Sequence, residues 1–258
     1  MADLAAMPKR ELEQSLMSGA RPGVLILKNR NLDRMCLEQA NLKQAFFDNS
    51  SFLKANLKMT DLSFSRLASC NLDCADLSAA NLTHTTFAGA SLRRARLVGA
   101  FLASAGFQNA DLAAADMKYS YAVKALFTDA NLKSSIISYS DFSEAVLDGA
   151  NLTCCELEEA SMKAAHMIGA FLRKTILNGA NLKGAVMDHS VIISCDLRDA
   201  TLLGTSLNDT VIEQVNTESA NLAGASLRRA SISGCDFSKA NLSRSNFSSA
   251  RIIGTQFD

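Results

Sequence analysis

Large hydrophobic residues recur at every fifth position of the chain between Leu27 and Phe257. These positions hold Leu, Phe, Met or Ile, and only Ala122 and Thr217 depart from the pattern. A period of five matches neither the 3.6 residues of an α-helix nor the 2 residues of a β-strand. The pattern therefore predicts a chain that turns the same face inward once every five residues, as a solenoid does.

Small residues recur along the chain with the same period as the large ones. Two residues before each large residue, every position from 40 to 255 holds Ala, Ser, Thr or Cys, except Val215. Val215 precedes the small Thr217, so this exchange nearly keeps the interior volume. The residue just before the large one is often Asn or Asp. Most of the 13 glycines lie two residues after the large residue. A tight corner, where glycine adopts positive φ, is predicted there.

These features resemble the pentapeptide-repeat family, whose pattern is a small residue, Asp or Asn, Leu or Phe, and two variable positions. Ala130-Asn131-Leu132 is one of many matching triplets, and the repeat spans roughly residues 25–258. The resemblance implies an all-β solenoid, a right-handed quadrilateral parallel β-helix with four pentapeptides per coil. About twelve coils stacked at ~4.8 Å would form a rod about 55 Å long. The sequence shows no loop insertion or kink.

A short helix is predicted over residues 8–18, ahead of the repeats. Pro8 suits the first turn, and Leu12, Leu16 and Met17 would form one apolar face. Because an open coil exposes unpaired backbone groups, we expect this helix to cap the first coil. A separate docking helix is the alternative.

The composition argues against a nucleic-acid-binding or membrane-associated protein. The chain has 26 Lys and Arg against 26 Asp and Glu, so no long-range field favours nucleic acid or an anionic membrane. Hydrophobic residues make up 48%, which is typical of a folded chain, yet no apolar stretch approaches the ~18 residues of a membrane span. The N-terminus has no secretory-signal pattern. We expect a cytoplasmic protein with an N-terminal segment over 1–22 and a β-helix over 23–258.

The sequence offers no catalytic or metal-binding motif. Its seven cysteines match no CxxC or zinc pattern, and Cys155, Cys195 and Cys235 would share an interior column about 10 Å apart, beyond disulfide reach. His166 and His189 lie on one side but roughly 10 Å apart, too far to share a metal ion. The histidines are interpreted as exposed bystanders. We expect neither enzymatic activity nor a cofactor.

Charged residues at the outward positions are distributed unevenly between the sides of the predicted coil. The side that runs through Leu37 and Leu57, here the acidic side, carries eleven acidic and five basic residues, whereas the side through Leu32 and Phe52, the basic side, is net positive. Some quinolone-resistance members of the family are thought to mimic DNA and occupy topoisomerases. Duplex DNA of about 55 Å would carry roughly 32 charges, so the acidic side is a weak imitation. The sequence also shows neither the loop insertion nor the C-terminal helix of those members.

Two groups of outward hydrophobic residues are candidate interaction surfaces. Phe101 and Tyr121 should stack in neighbouring coils, with Tyr119 and Tyr139 around the adjacent corner, and surface aromatics are typical of interfaces. The second group forms a stripe on the basic side and consists of Phe171, Val191, Ile193 and Val211. The alternative for both groups is that such residues only stabilise strand ladders.

The last coil presents a third hydrophobic group. Phe247, Ile252 and Phe257 should be exposed together, a feature that natural sheet edges usually avoid. We expect a homodimer that packs end to end about a two-fold axis, because such a contact is closed. A monomer whose terminal phenylalanines fold over the core is the alternative.

The leading functional hypothesis is a non-enzymatic interaction or scaffold module, a rigid bacterial-type rod that presents flat faces to an unidentified protein partner. We expect no direct binding of nucleic acid. The alternative is a DNA-mimicking, topoisomerase (gyrase)-binding protein of the quinolone-resistance type.

Overall fold

The computed structural model describes residues 7–18 and 24–257. Five short strands form one parallel sheet, in which each strand lies beside the next one along the chain. Elsewhere in these residues, single parallel bridges join one coil to the next. The regular elements are the helix α1 (Lys9–Met17) and the strands β1 (Phe171–Arg173), β2 (Val191–Ile193), β3 (Val211–Glu213), β4 (Ser231–Ser233) and β5 (Arg251–Ile253).

Each bridging residue pairs with the residue 20 positions further along the chain. The first bridge joins Ile26 to Phe46, and the same step continues through Phe171 and Val191 in β1 and β2. Four such columns run along the solenoid without a shift in register. One coil therefore holds four pentapeptides, which confirms the parallel β-solenoid predicted from the period of five.

The large residues of the repeat fill the interior. Phe107 and Leu132 are fully buried, as are their equivalents along most of the rod. Val215 and Thr217 are also buried, and both line an internal cavity of only about 10 Å³. The exchange of large and small residues thus leaves little empty space, as predicted.

Small polar residues are tolerated in the interior because they bond to the neighbouring coil. The Ser50 hydroxyl donates to the Leu27 carbonyl oxygen at 2.7 Å, and the Cys155 thiol donates to the Leu132 carbonyl oxygen at 2.8 Å. Each pair is 23 positions apart in sequence, so the bond always joins two coils. Most buried hydroxyls and thiols of the described residues are satisfied in this way or by a bond within their own turn, such as Thr210 to the Leu207 carbonyl oxygen, whereas the Ser138 and Ser190 hydroxyls have no hydrogen-bond partner.

The Asn or Asp before each large residue closes a turn. Asn131 is an example: its Oδ1 accepts a hydrogen bond from the Lys133 backbone N–H at 3.3 Å, and its Nδ2 donates to Asp111 Oδ1 at 2.9 Å in the preceding coil. Asparagine and aspartate form such turns with the backbone two residues on. The hydrogen bond from the backbone N–H two residues on explains why Asn and Asp are frequent just before the large residue.

The corners of the coils adopt the left-handed backbone conformation. Gly149, with φ of 68°, behaves as predicted for a corner glycine. Most corners, however, hold a residue with a side chain in the same conformation, such as Tyr119 with φ of 59° and Tyr139 with φ of 61°. The inter-coil bonds of the neighbouring residues hold these corners in place, so glycine is not required.

Helix α1 covers the first coil. Leu12 and Leu16 are buried within the same core as the coil residues, and the Glu13 carboxylate accepts a hydrogen bond from the Cys36 backbone N–H at 2.7 Å. The capping hypothesis is therefore confirmed. The prediction for Met17 was wrong: it is 45% exposed, because it lies about 140° around the helix from Leu12.

The predicted boundary between residues 22 and 23 falls outside the described residues. In residues 7–18 and 24–257, no helix has the length and apolar content needed to cross a membrane.

Candidate interaction surface

Four outward aromatic side chains form two stacked pairs, together called the aromatic surface. The rings of Phe101 and Tyr121 lie 5.5 Å apart between centroids with 10° between their planes. The rings of Tyr119 and Tyr139 lie 5.5 Å apart with 18° between planes. Each of the four side chains is 48–54% exposed. The structure thus brings the predicted residues together, although within its described part no ring contact joins one pair to the other.

The coil geometry produces both stacks. Phe101 and Tyr121 are bridge partners in adjacent coils, and Tyr119 and Tyr139 occupy equivalent corners one coil apart. The ~4.8 Å spacing of parallel strands is close to the separation at which aromatic rings stack. Because the rings stack along the rod, their edges face the solvent.

A third outward stack was missed in the sequence. Phe64 is 52% exposed, and its ring stacks on His84 with 4.8 Å between centroids, while Lys43 Nζ lies 5.7 Å from the same ring. His84 is exposed, as expected, but its contact with Phe64 was not expected from the sequence. Phe64 follows the core residue Leu62 by two positions, which is the corner position that Tyr119 also occupies. Sorting the corner positions by residue type could have found it.

The apolar stripe lies where the strands are longest. Phe171, Val191 and Val211 are successive partners in β1, β2 and β3, and Ile193 pairs with Glu213 beside them. Phe171 is 48% exposed, whereas the other three hydrophobic residues are half-buried. The stripe thus coincides with the most regular part of the sheet.

Ion pairs reduce the charge of the acidic side. Asp76 lies 3.4 Å from Lys58 Nζ and 3.8 Å from Arg96 Nε, and Asp196 lies 2.6 Å from Arg198. Hydrogen bonds from Arg198 hold the pKa of Asp196 below its usual value. Part of the negative charge on this side is therefore locally compensated.

The C-terminal group is partly exposed. Ile252 and Phe257 are 40% and 41% exposed, whereas Phe247 is half-buried and packs edge to face against Phe257 with 6.0 Å between ring centroids. Phe257 also stacks on Phe237 at 5.4 Å. Phe247 and Phe257 are thus in contact, and Phe247 is the least accessible of the three predicted residues.

An open recess of about 360 Å³ lies beside Val215 at a corner of the rod. Gln214, Asp236, Glu218 and Lys239 contribute to its lining, and Lys239 Nζ lies 2.7 Å from the Glu218 carboxylate. Within the described ranges there is no group of three or more side chains that could hold a metal ion. The cysteines of this part of the chain are all free thiols, and Cys155, Cys195 and Cys235 are buried.

The chain is similar to several proteins of known structure. The crystal structure of HetL, a pentapeptide-repeat protein of the cyanobacterium Nostoc sp. strain PCC 7120, is 21% identical over 97% of both chains with a TM-score of 0.36. A pentapeptide-repeat protein of the Arabidopsis thaliana thylakoid lumen is 26% identical over 35% of this chain and 63% of its own, with a TM-score of 0.35. QnrB1, a plasmid-mediated fluoroquinolone resistance protein, is 18% identical over 75% of this chain and 91% of its own, with a TM-score of 0.31. A search of curated protein sequences gave no match.

The family model for pentapeptide repeats matches most of the chain, in 8 copies. The matched residues are 37–67, 60–99, 70–109, 125–163, 140–179, 155–192, 176–214 and 220–258. Members of this family form right-handed β-helices and are generally structural or interaction modules rather than enzymes. Together with the register of the coils, this match establishes that the chain belongs to the pentapeptide-repeat family.

Proposed function

We propose that this protein is a non-enzymatic interaction module that binds a protein partner through the aromatic surface. The observation that carries the proposal is the exposure of four aromatic rings, held in two stacked pairs with about half of each side chain in solvent: Phe101 with Tyr121, and Tyr119 with Tyr139. Aromatic side chains contribute large contact areas and are enriched at protein interfaces.

The rod presents these rings in a fixed arrangement. Tyr121 and Tyr139 are each held by a backbone bond to a neighbouring coil: the Tyr121 N–H donates to the Ala100 carbonyl oxygen at 3.0 Å, and the Tyr139 N–H donates to the Glu158 carbonyl oxygen at 2.9 Å. A partner therefore needs to order little of this surface when it binds. Preorganisation of this kind strengthens binding by reducing the entropy that association loses.

The test replaces Tyr119, Tyr121 and Tyr139 together by Ser. Because the rings lie outside the core, we expect the melting temperature to stay near that of the unchanged protein, while co-purification of its partner is lost. A matched variant changes the apolar stripe instead, with Phe171→Ser, Val191→Ser and Val211→Ser, and should retain the partner. Retained capture together with a collapse in stability of the tyrosine variant would show that the rings are only structural.

The DNA-mimicking alternative is tested by DNA supercoiling with gyrase in the presence and absence of the protein. We expect no inhibition, because ion pairs such as Asp196 with Arg198 interrupt the negative charge that a duplex mimic needs. Inhibition that survives the change of the three tyrosines would favour the alternative.

We also propose that two copies associate end to end through the C-terminal group. The support is the exposure of Ile252 and Phe257 beside the half-buried Phe247, which gives one apolar patch able to face its own copy about a two-fold axis.

A further inference from the structure

Each stack of the aromatic surface has a carboxylate at one end. Asp141 is the bridge partner of Tyr121 in the next coil. Glu159 follows Glu158, whose carbonyl oxygen accepts the Tyr139 N–H at 2.9 Å, so Glu159 occupies the corner one coil beyond Tyr139. The two tyrosines that end the stacks in this direction therefore both face an acidic residue.

The opposite ends of the stacks carry no charge. Asn81 is the bridge partner of Phe101, and Gly99 occupies the corner one coil before Tyr119. A Cβ atom at Gly99 would meet no atom within 4 Å, so the space beside Tyr119 is open there. Acidic neighbours are thus confined to the ends formed by Tyr121 and Tyr139.

The outer parts of these two terminal rings are accessible from solvent. Asp141 has a much shorter side chain than Tyr121, so it can cover only the inner part of that ring. The Glu159 carboxylate reaches over Gly179 in the following coil, where a Cβ atom would collide with Glu159 Oε1. Because Glu159 leans away from Tyr139, a flat group has room to rest on the face of that ring.

The carboxylates at these ends make no ion pair. Asp141 accepts one hydrogen bond, from the Ser143 backbone N–H at 2.9 Å. Among the ion pairs of residues 7–18 and 24–257, none includes Asp141 or Glu159. Glu156 and Glu158 are likewise outside these pairs, in contrast to Asp196 further along the acidic side. Negative charge therefore accumulates beside the two open ring faces.

We infer that the aromatic surface binds an extended segment that carries arginine, with one guanidinium group on Tyr121 beside Asp141 and another on Tyr139 beside Glu159. The inference rests on the proposed function and specifies the chemistry of the partner. A cation is attracted to the face of an aromatic ring, and the planar guanidinium can stack there while it donates hydrogen bonds to a carboxylate.

One segment can reach both places. Tyr139 lies one coil beyond Tyr119, about 4.8 Å along the rod, and Tyr119 is two residues from Tyr121, about 6–7 Å around the coil. Alternate side chains of an extended strand point the same way and are about 7 Å apart, so arginines at alternate positions match this offset. The same carboxylates repel nucleic-acid phosphates, which separates this partner from DNA or RNA.

The composition of the protein provides a direct readout. It contains no Trp and 3 Tyr, all of them in the aromatic surface, so intrinsic tyrosine fluorescence reports on this surface alone. The probe is a synthetic peptide with arginine at alternate positions between threonines. Its control carries citrulline, which keeps the planar shape of arginine but lacks the charge. We expect a saturable fluorescence change with the arginine peptide and at least about tenfold weaker binding of the citrulline peptide.

Charge-removing variants locate the site. Asp141→Asn with Glu159→Gln should weaken binding of the arginine peptide about fivefold or more. Asp61→Asn is the matched control, because Asp61 holds the same repeat position as Asp141 and also accepts a bond from a backbone N–H, that of Ser63, at 2.9 Å. This control should bind the peptide as tightly as the unchanged protein.

The inference is overturned if the arginine peptide does not bind, if the citrulline peptide binds equally well, or if the variant of Asp141 and Glu159 binds as tightly as Asp61→Asn. Its failure is distinguishable from failure of the proposed function. Partner capture that depends on the three tyrosines but is unaffected by Asp141→Asn with Glu159→Gln would retain the interaction surface and exclude an arginine-bearing partner. Capture independent of the tyrosines would exclude the surface itself.

Discussion

The ring of Phe107 lies 4.9 Å from that of Phe127 with 2° between their planes, and both side chains are fully buried. Phe87 extends the stack in the other direction at 4.8 Å. The 20-residue step of the coils places these rings directly above one another. A substitution within this column therefore measures how much the stacked interior contributes to the stability of the fold.

Replacing Phe107 by Ala should lower the free energy of unfolding by about 3–5 kcal/mol, because it removes a buried ring and leaves a cavity between two other rings. The measurement is urea denaturation followed by circular dichroism. Phe101→Ala is the control: its ring is 48% exposed, and we expect a loss below about 1 kcal/mol. Equal losses in the free energy of unfolding for the two variants would contradict the buried position of Phe107.

Adjacent positions of one repeat should respond very differently to substitution. Leu132 is fully buried, so Leu132→Asp places a carboxylate without a partner between two coils and should destabilise the protein by about 3 kcal/mol or more. Lys133 is exposed, and Lys133→Ala should change the melting temperature little. Thermal unfolding followed by circular dichroism, with a β-rich starting spectrum, compares them. A stable Leu132→Asp variant would contradict the inward direction of Leu132.

The stability contributed by a buried thiol should depend on pH. Burial raises the pKa of the Cys155 thiol from an ordinary value of 9.0 to about 12. Above pH 9 the unfolded chain loses this proton while the folded chain keeps it, so the contribution is fully present below about pH 9 and is lost as the pH rises toward 12. The loss is about 1.4 kcal/mol per pH unit in this range.

Denaturation of the unchanged protein and of Cys155→Ala between pH 8 and 11 measures this effect. The difference in stability between the two should move in favour of the variant as the pH rises above 9. Other groups that titrate in this range are common to both proteins and cancel in the difference. A difference that is constant with pH would mean that Cys155 is accessible to solvent.

End-to-end association is measured by light scattering at micromolar concentrations. We expect a dimer for the unchanged protein and a monomer for the double variant Phe247→Asp, Phe257→Asp, because two charges would enter the apolar contact. Phe101→Asp, which changes an exposed ring elsewhere on the rod, is the matched control and should remain a dimer. A monomeric unchanged protein, or a dimeric double variant, would exclude this contact.

The sequence predicted the coils because the interior admits few residue types. Positions such as Leu132 and Phe107 are fully enclosed, so their size and polarity are constrained in every repeat and the period is visible. The same arithmetic placed Tyr121 one coil beyond Phe101 and Tyr139 one coil beyond Tyr119. Stacking followed from register alone.

Features outside the repeated interior were harder to predict from the sequence. Met17 is exposed because of its angle around α1 from Leu12, and the stack of Phe64 on His84 involves corner positions where the repeat tolerates many residue types, so that only a comparison of those positions reveals it. Ion pairs such as that between Asp76 and Lys58 join long, exposed side chains whose partners are fixed only by the folded geometry. Periodicity constrains the interior but says little about such contacts.

The constant step between coils has a consequence for how the length of the rod can change. Removing or duplicating any 20 consecutive residues within the repeats would leave each remaining coil with an equivalent neighbour, from Ile26 and Phe46 onward. The distance from α1 to Tyr121 could therefore be reset in increments of about 4.8 Å, with neither end altered. A partner that contacts both α1 and Tyr121 would bind only a rod in which this distance fits it. The number of coils is therefore itself a determinant of which assemblies the protein can join.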